Sequence, residues 1–144
     1  MSKMKRALLY LLCLIFLLFG CAGLFIVYNW APDKSVSQLS AQWAPAPSTF
    51  IDVKGLAVHL RDEGVRDDPV PIGLIHGTSS SLHTWEAWVA AVKGQRRVIS
   101  MDLPGFGVTG PNQQNDYGNP AYKQFHFDLM GALHVQRSAR SDNS

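Results

Sequence analysis

Two short motifs carry the residue types in this sequence that could do chemistry. The first is His76-Gly77-Thr78, which follows the apolar run 71–75 and opens the string HGTSSSLHTW. Glycine leaves the backbone N–H groups after it uncovered, and such a donor can stabilise the oxyanion that forms in acyl transfer. The pair His-Gly alone also fits a plain strand-to-helix turn, so two interpretations of this motif stay open.

The second motif is DLPGFG, which follows the apolar run 98–101. Asp102 can accept hydrogen bonds from its own loop, and Pro104, Gly105 and Gly107 permit a tight reversal of the chain. We interpret this motif as a structural loop that shapes a site.

The remaining chemistry-bearing patterns point to no bound group. Gly105 to Gly110 match G-x-G-x-x-G, but a dinucleotide site requires a helix that begins within that pattern, and Pro111 followed by NQQND does not give one. The histidines show no metal-binding spacing with one another, with cysteine or with carboxylates. We expect no cofactor and no metal. His59, His83, His126 and His134 are expected to be surface or hydrogen-bonded core side chains.

The strands that would position the motifs can be located from their patterns. Residues 50–61 alternate in the manner of a strand around Lys54-Gly55, which is a plausible two-residue hairpin turn. The charged run 61–69 is expected to be a solvated loop. The short apolar runs 71–75 and 98–101 are typical of strands buried on both faces.

Two helices are predicted around the second of these buried strands. A serine cluster can cap the first helix, which Gly94 ends, and Asn119-Pro120 favours the start of the second, with the asparagine as its cap. The order of hairpin, strand, helix, strand and helix predicts a parallel sheet with right-handed crossovers. The apolar stripes are Leu82, Trp85, Trp88, Val89 and Val92 in the first helix, and Tyr122, Phe125, Leu129, Ala132 and Leu133 in the second.

The amino terminus predicts a membrane anchor. Residues 1–6 form a basic tail, and residues 7–28 form an uncharged run whose helix would be about 33 Å long, enough to cross a hydrocarbon core. Basic residues before the span predict a cytoplasmic amino terminus at a bacterial inner membrane, with the domain on the periplasmic or extracellular side. The small residues 20–23 leave two alternatives open, cleavage as an export signal and lipid attachment at Cys21.

Composition excludes other classes of function. Three of the 13 basic residues lie in the first six positions, so 10 basic residues face 11 acidic ones in the rest of the chain, and nucleic-acid binding has no electrostatic basis. Both cysteines, Cys13 and Cys21, lie in the apolar run, so the remainder has no disulfide and no thiol nucleophile. Residues 29–49 are rich in Pro, Ser, Ala and Gln, and we expect a linker without helix because Pro45 and Pro47 discourage one.

In their order and spacing, HGTSSSLHTW and RVISMDLPGFGVTG resemble the amino-terminal third of an α/β-hydrolase, so residues 50–137 are expected to form part of that fold. The resemblance implies that the Thr78 backbone N–H forms half of an oxyanion hole, with His76 and Gly77 shaping the turn. It also implies that intact relatives hydrolyse ester-like bonds of a small-molecule substrate through a serine in a G-x-S-x-G elbow, with an acid and a histidine later in the chain. Thr78 is not the asparagine of haloalkane dehalogenases, which disfavours dehalogenation.

The sequence departs from that pattern after Arg137. It contains no G-x-S-x-G, and residues 138–144 are polar where another buried strand is expected. We therefore expect an aberrant tail, produced by a frameshift near codon 138, with Ser144 in register with the nucleophile but not functional. The expected protein is a truncated copy of a membrane-anchored hydrolase without full catalytic machinery. The alternative is a small membrane-tethered binding protein that is not an enzyme.

Overall fold

A computed structural model describes residues 2–32 and 34–142 of the protein. The chain divides into two compact units, Met1–Asp33 and Lys34–Ser144. The first unit contains one helix, and the second contains every other element, including both candidate motifs.

Helix α1 spans Lys3–Tyr28 and forms the first unit. Its mean hydropathy reaches 2.7 over an 18-residue window, so the helix is long and apolar enough to cross a membrane. It begins four residues before the predicted span, because the Ser2 side chain accepts a hydrogen bond from the Lys5 N–H and caps the helix. The basic residues of the predicted tail are therefore part of its first turns.

Helix α2 spans Val36–Trp43, within the segment that we expected to be a linker without helix. The Ser35 hydroxyl accepts from the Gln38 N–H while the Gln38 side chain accepts from the Ser35 N–H, which is a capping box. The expectation was wrong here because Pro45 and Pro47 lie beyond the last helical residue, where they limit the helix but do not prevent it.

The second unit is built on a sheet of five strands, which are β1 Thr49–Val53, β2 Leu56–Gly64, β3 Ile72–Ile75, β4 Arg97–Met101 and β5 Ala139–Asp142. Their order in the sheet is β1-β2-β4-β3-β5. Strands β1 and β2 form the predicted hairpin, with positive φ angles of 54° at Lys54 and 85° at Gly55 in its turn. Strand β2 pairs antiparallel with β4, whereas β3 lies parallel to both β4 and β5. The predicted α/β class, a hairpin followed by parallel strands, is confirmed, and the sheet as a whole is mixed because β2 pairs antiparallel with β4.

Strand β5 lies in the stretch 138–144 that the sequence led us to treat as an aberrant polar tail. It pairs with β3 from Ile72 opposite Ala139 to Ile75 opposite Asp142, and the Ala139 N–H donates to the Pro71 carbonyl over 2.9 Å. The prediction that this stretch breaks the strand–helix alternation was therefore wrong. Backbone groups make the ladder, so polar side chains do not prevent a strand at the edge of a sheet.

The helices differ from their predictions at their starts. Ser81 occupies the position before a 3-10 turn, Leu82–Trp85, but its side chain makes no capping bond. Helix α3 follows over Glu86–Val92. Helix α4 spans Asn119–Ala132 with Gly118 at the cap position, so Asn119 is the first helical residue and not the cap. The predicted stripes also shift at their edges. Trp88 and Ala132 are exposed, and Met130 is buried instead.

Two apolar clusters form the core. The larger joins β1, β2 and β4 to Phe125, Leu129 and Met130 of α4, and the smaller joins Leu74, Val98 and Val89 of α3. Because successive strand residues point to opposite faces, Val98 in one cluster and Ile99 in the other place α3 and α4 on opposite faces of the sheet.

The charged run 61–69 is more ordered than the solvated loop that we predicted. Strand β2 continues to Gly64, and Asp62 accepts two hydrogen bonds from Arg97 on the neighbouring strand, of 2.9 and 2.8 Å. Asp68 accepts from the Arg96 side chain and from the backbone N–H groups of Val70 and Arg97, and these bonds lower its pKa to about 2.

Candidate active site

The two candidate motifs lie side by side because β3 and β4 are parallel neighbours, with Ile75 opposite Met101. His76 joins the two segments that follow these strands. Its Nδ1 donates to the Gly77 carbonyl over 2.8 Å, and its Nε2 accepts from the Leu103 N–H over 3.1 Å. A carbonyl can only accept and a backbone N–H can only donate, so His76 is a neutral imidazole that carries its proton on Nδ1.

The Thr78 backbone N–H is the donor that the resemblance assigns to an oxyanion hole. Thr78 is exposed, and its N–H donates none of the hydrogen bonds found among residues 2–32 and 34–142. The left-handed residue of this turn is Ser79, with φ of 59°, and not Gly77. The turn therefore presents an uncommitted donor at the carboxyl end of β3.

Asp102 is buried, with 1% of its surface exposed, and it connects three segments of the site. Its Oδ1 accepts from the Leu82 N–H over 2.8 Å, and its Oδ2 accepts from the Val108 N–H over 3.0 Å and from His59 Nδ1 over 2.8 Å. Asp102 thus makes the expected bond to its own loop. It also caps the 3-10 helix in place of the serine cluster.

Burial raises the pKa of Asp102, but hydrogen bonds from His59, Leu82 and Val108 outweigh that effect and hold the pKa below its usual value. The carboxylate is therefore ionised at neutral pH. It forms a fixed negative charge beneath the turn that follows β3.

His59 is the partner of Asp102 that sequence reasoning did not identify. Its side chain is fully buried on β2, and its backbone accepts from the Asp102 N–H over 3.0 Å. Its Nε2 has no hydrogen-bond partner among the described residues, and the ring of Phe50 lies 5.2 Å from its own. We expected a surface or satisfied core histidine. The structure gives a buried one with one ring nitrogen satisfied, and no local pattern links it to a residue 43 positions away.

Gly107 brings its loop against this carboxylate. Its φ is 54°, and a Cβ at this position would lie 2.0 Å from Asp102 Oδ2. Pro104 accepts a hydrogen bond from the Tyr122 hydroxyl over 3.3 Å. Gly105 also has a positive φ, of 82°. The first helix after this pattern begins at Asn119, so Gly105 to Gly110 form a loop without the helix start of a dinucleotide site.

Two cavities open near these loops. One has a volume of about 310 Å³ and lies between α2 and the site. The other has a volume of about 470 Å³ and lies between the hairpin turn, the loop after β4 and α4. The smaller cavity is lined by Leu39, Trp43, Ser81, His83, Asp102, Gly107 and Val108.

In the described part of the chain, no three His, Cys, Asp or Glu side chains are grouped to hold a metal ion. Ser144, the residue in register with the expected nucleophile, lies outside the described residues.

Known proteins with similar sequences include hydrolases. The chain is 28% identical over 93 residues to 2-hydroxy-6-oxo-2,4-heptadienoate hydrolase of Pseudomonas putida, covering 62% of this chain and 33% of that protein. It is 24% identical over 106 residues to 2-hydroxymuconate semialdehyde hydrolase of a Pseudomonas species, covering 72% and 36%. No protein-family model matches the chain.

Solved structures share the fold. A bacterial membrane phospholipase A superposes with a TM-score of 0.65 at 25% identity, covering 97% of this chain and 44% of that one. A meta-cleavage product hydrolase superposes with a TM-score of 0.60 at 26% identity, covering 67% and 35%.

The sheet order and these similarities define an α/β-hydrolase fold. This chain has the α/β-hydrolase-like fold, and it is similar to hydrolases over 62% and 72% of its length. It spans about a third of the length of the curated relatives that it matches.

Proposed function

We propose that this protein is a membrane-anchored α/β-hydrolase whose complete form hydrolyses ester-like or related bonds of a small molecule through a serine nucleophile. One observation carries the proposal. The uncommitted Thr78 N–H lies in the turn that follows β3, and Asp142, at the end of β5, is paired with Ile75, at the end of β3. A nucleophile placed after β5 would therefore stand beside an oxyanion donor.

The proposal includes a limit on the 144 residues themselves. They contain no G-x-S-x-G, and Thr78 supplies only half of an oxyanion hole. The serine, the acid and the histidine would come from sequence outside this chain, in keeping with its length of about a third of its curated relatives. We propose that the chain by itself lacks the full catalytic machinery.

Helix α1 supports the membrane part of the proposal. It is long and apolar enough to span a bilayer, and the similarity to the membrane phospholipase A extends over 97% of this chain. Lys3, Lys5 and Arg6 precede the span, which favours a cytoplasmic amino terminus in a bacterial inner membrane and a domain on the far side.

The first test is an assay of the full chain in detergent with a short-chain nitrophenyl ester. We expect no turnover above the buffer rate, because no nucleophile elbow is present. Turnover that persists through repurification and is abolished by a substitution in this chain would contradict the proposed limit.

The second test reads the DNA after codon 137 in all three frames. An apolar strand followed by G-x-S-x-G within about ten codons supports the proposal, and its absence from every frame favours the non-catalytic binding protein. In a longer product with that elbow, Thr78→Pro removes the N–H and should lower kcat by about 10² to 10³. Thr78→Ser keeps the N–H and should retain activity.

A further inference from the structure

Helix α2 covers the cavity of about 310 Å³ next to the site. Leu39 and Trp43 of α2 form one wall of the cavity, and Ser81 and Val108 lie on the other side. None of the helix's residues is buried, so little apolar packing holds it in place. The polar contact at its carboxyl end is therefore important for holding α2 in place.

That contact is made by His83. Its Nε2 lies 2.8 Å from the Trp43 carbonyl oxygen, and the edge of its ring meets the Trp43 ring with 5.9 Å between centroids. Its Nδ1 lies 2.8 Å from Glu86 Oε1. Each ring nitrogen thus faces an oxygen acceptor.

Hydrogen bonds from His83 and from Arg61 hold the pKa of Glu86 below its usual value, so the carboxylate is ionised and has no proton to give. The Trp43 carbonyl has none either. Both bonds can form together only when His83 is an imidazolium, which donates from both nitrogens.

We propose that His83 is a proton-dependent clasp that holds α2 over the cavity beside the site. Protonated His83 bonds both Trp43 and Glu86. Neutral His83 keeps its proton on Nδ1, because a carboxylate is the stronger acceptor, and its Nε2 lone pair then opposes the Trp43 carbonyl. Loss of the proton therefore releases α2 and opens the cavity.

Other charged or titratable groups face this clasp from neighbouring elements. Arg61 of β2 donates to the same Glu86 oxygen over 2.7 Å, so its positive charge opposes the imidazolium. The ring of His59, also on β2, lies 6.3 Å away, and the Asp102 carboxylate lines the same cavity. The charged neighbours of the clasp are thus one cation, Arg61, and two carboxylates, Glu86 and Asp102.

The test uses the full chain in detergent micelles between pH 5 and 8, the range in which histidine changes charge. Nitrogen NMR of the His83 ring should show protons on both nitrogens at the acid end and on one at the basic end. Hydrogen exchange of the α2 amides, corrected for its intrinsic pH dependence, should become about tenfold faster or more across the same transition, as expected when a charge-assisted bond is lost.

His83→Gln should make α2 exchange fast at every pH, and Glu86→Gln should weaken the pH dependence. His134→Gln, at an exposed histidine, is the matched control and should leave the wild-type profile unchanged. Fast exchange of the β4 amides would show that a variant has lost its whole fold. In that case the nitrogen NMR spectrum of the His83 ring in the wild type tests the proposal. A single ring proton at all pH values, or α2 exchange independent of pH, would overturn the proposal.

Discussion

Asp102 shows how one buried carboxylate organises the candidate site. It accepts from the N–H groups of Leu82 and Val108 and from the ring of His59, so it ties a helix start, a loop and a strand together. Each bond replaces water that the carboxylate lost on burial, and together they keep it ionised.

Asp102→Asn should lower the free energy of unfolding by about 2 to 4 kcal/mol at pH 7, because an amide cannot replace a carboxylate that accepts three hydrogen bonds. The folded-state pKa of Asp102 lies below its unfolded value, near 3.9 for a model aspartate. Its stabilising effect is therefore present above the unfolded pKa and is lost as the pH falls through the folded one.

Denaturant titrations of the wild type and of Asp102→Asn between pH 7 and pH 2.5 check this prediction, and the difference between them should shrink towards the acid end. Asp67→Asn is the matched control, since Asp67 is exposed and should have little effect. An equal difference at every pH would show that the charge of Asp102 does not stabilise the fold.

Gly107→Ala should lower the free energy of unfolding by at least about 2 kcal/mol. The new Cβ would lie 2.0 Å from Asp102 Oδ2, and the positive φ is itself unfavourable for alanine. Gly94→Ala is the control, because no heavy atom lies within 4 Å of its added Cβ. If the two variants have the same midpoint of thermal unfolding, the loop does not approach Asp102 as described.

At the scale of elements, α2 and β5 both form in segments whose composition led us to expect neither a helix nor a regular strand. The Ser35–Gln38 capping box, not an apolar stripe, marks the start of α2. Strand β5 consists of polar residues and alanine, and its position is set by the free edge of β3. In both cases backbone hydrogen bonding outweighs side-chain pattern.

Ala139→Pro should weaken β5, because proline cannot donate the N–H that now bonds the Pro71 carbonyl over 2.9 Å. Hydrogen exchange of the amides of Gly73 and Ile75 should accelerate. Ala139→Val keeps the N–H and favours a strand, so it should leave exchange unchanged or slower. Equal exchange in all three proteins would argue that residues 139–142 do not pair with β3.

At the scale of the whole molecule, α1 is a unit by itself and the sheet with its helices is another. Helix α1 is apolar along its length and long enough to cross a membrane. The sheet has its own core, with helices on both faces.

We expect the full chain to stay in the membrane pellet after alkaline carbonate washing, because an uncleaved α1 of this hydropathy does not leave a bilayer. A chain that begins at residue 29 is the control and should be released. A soluble mature protein that begins near Ala22 or Leu24 would support signal cleavage instead.

The sequence by itself determined the features that depend on neighbouring residues. An uncharged run identified α1, Lys54-Gly55 identified the hairpin turn, and two short apolar runs identified β3 and β4. These patterns are local because chain geometry and burial act on residues a few positions apart.

Only the tertiary structure decided which distant groups meet. The bond between His59 and Asp102 joins residues 43 positions apart, and that between Trp43 and His83 spans 40. The Leu82 N–H at the start of the 3-10 helix is satisfied by the carboxylate of Asp102, which follows β4, and β5 pairs with the edge that β3 offers. Such contacts form when the sheet brings strand ends together, and no periodicity along the chain encodes them.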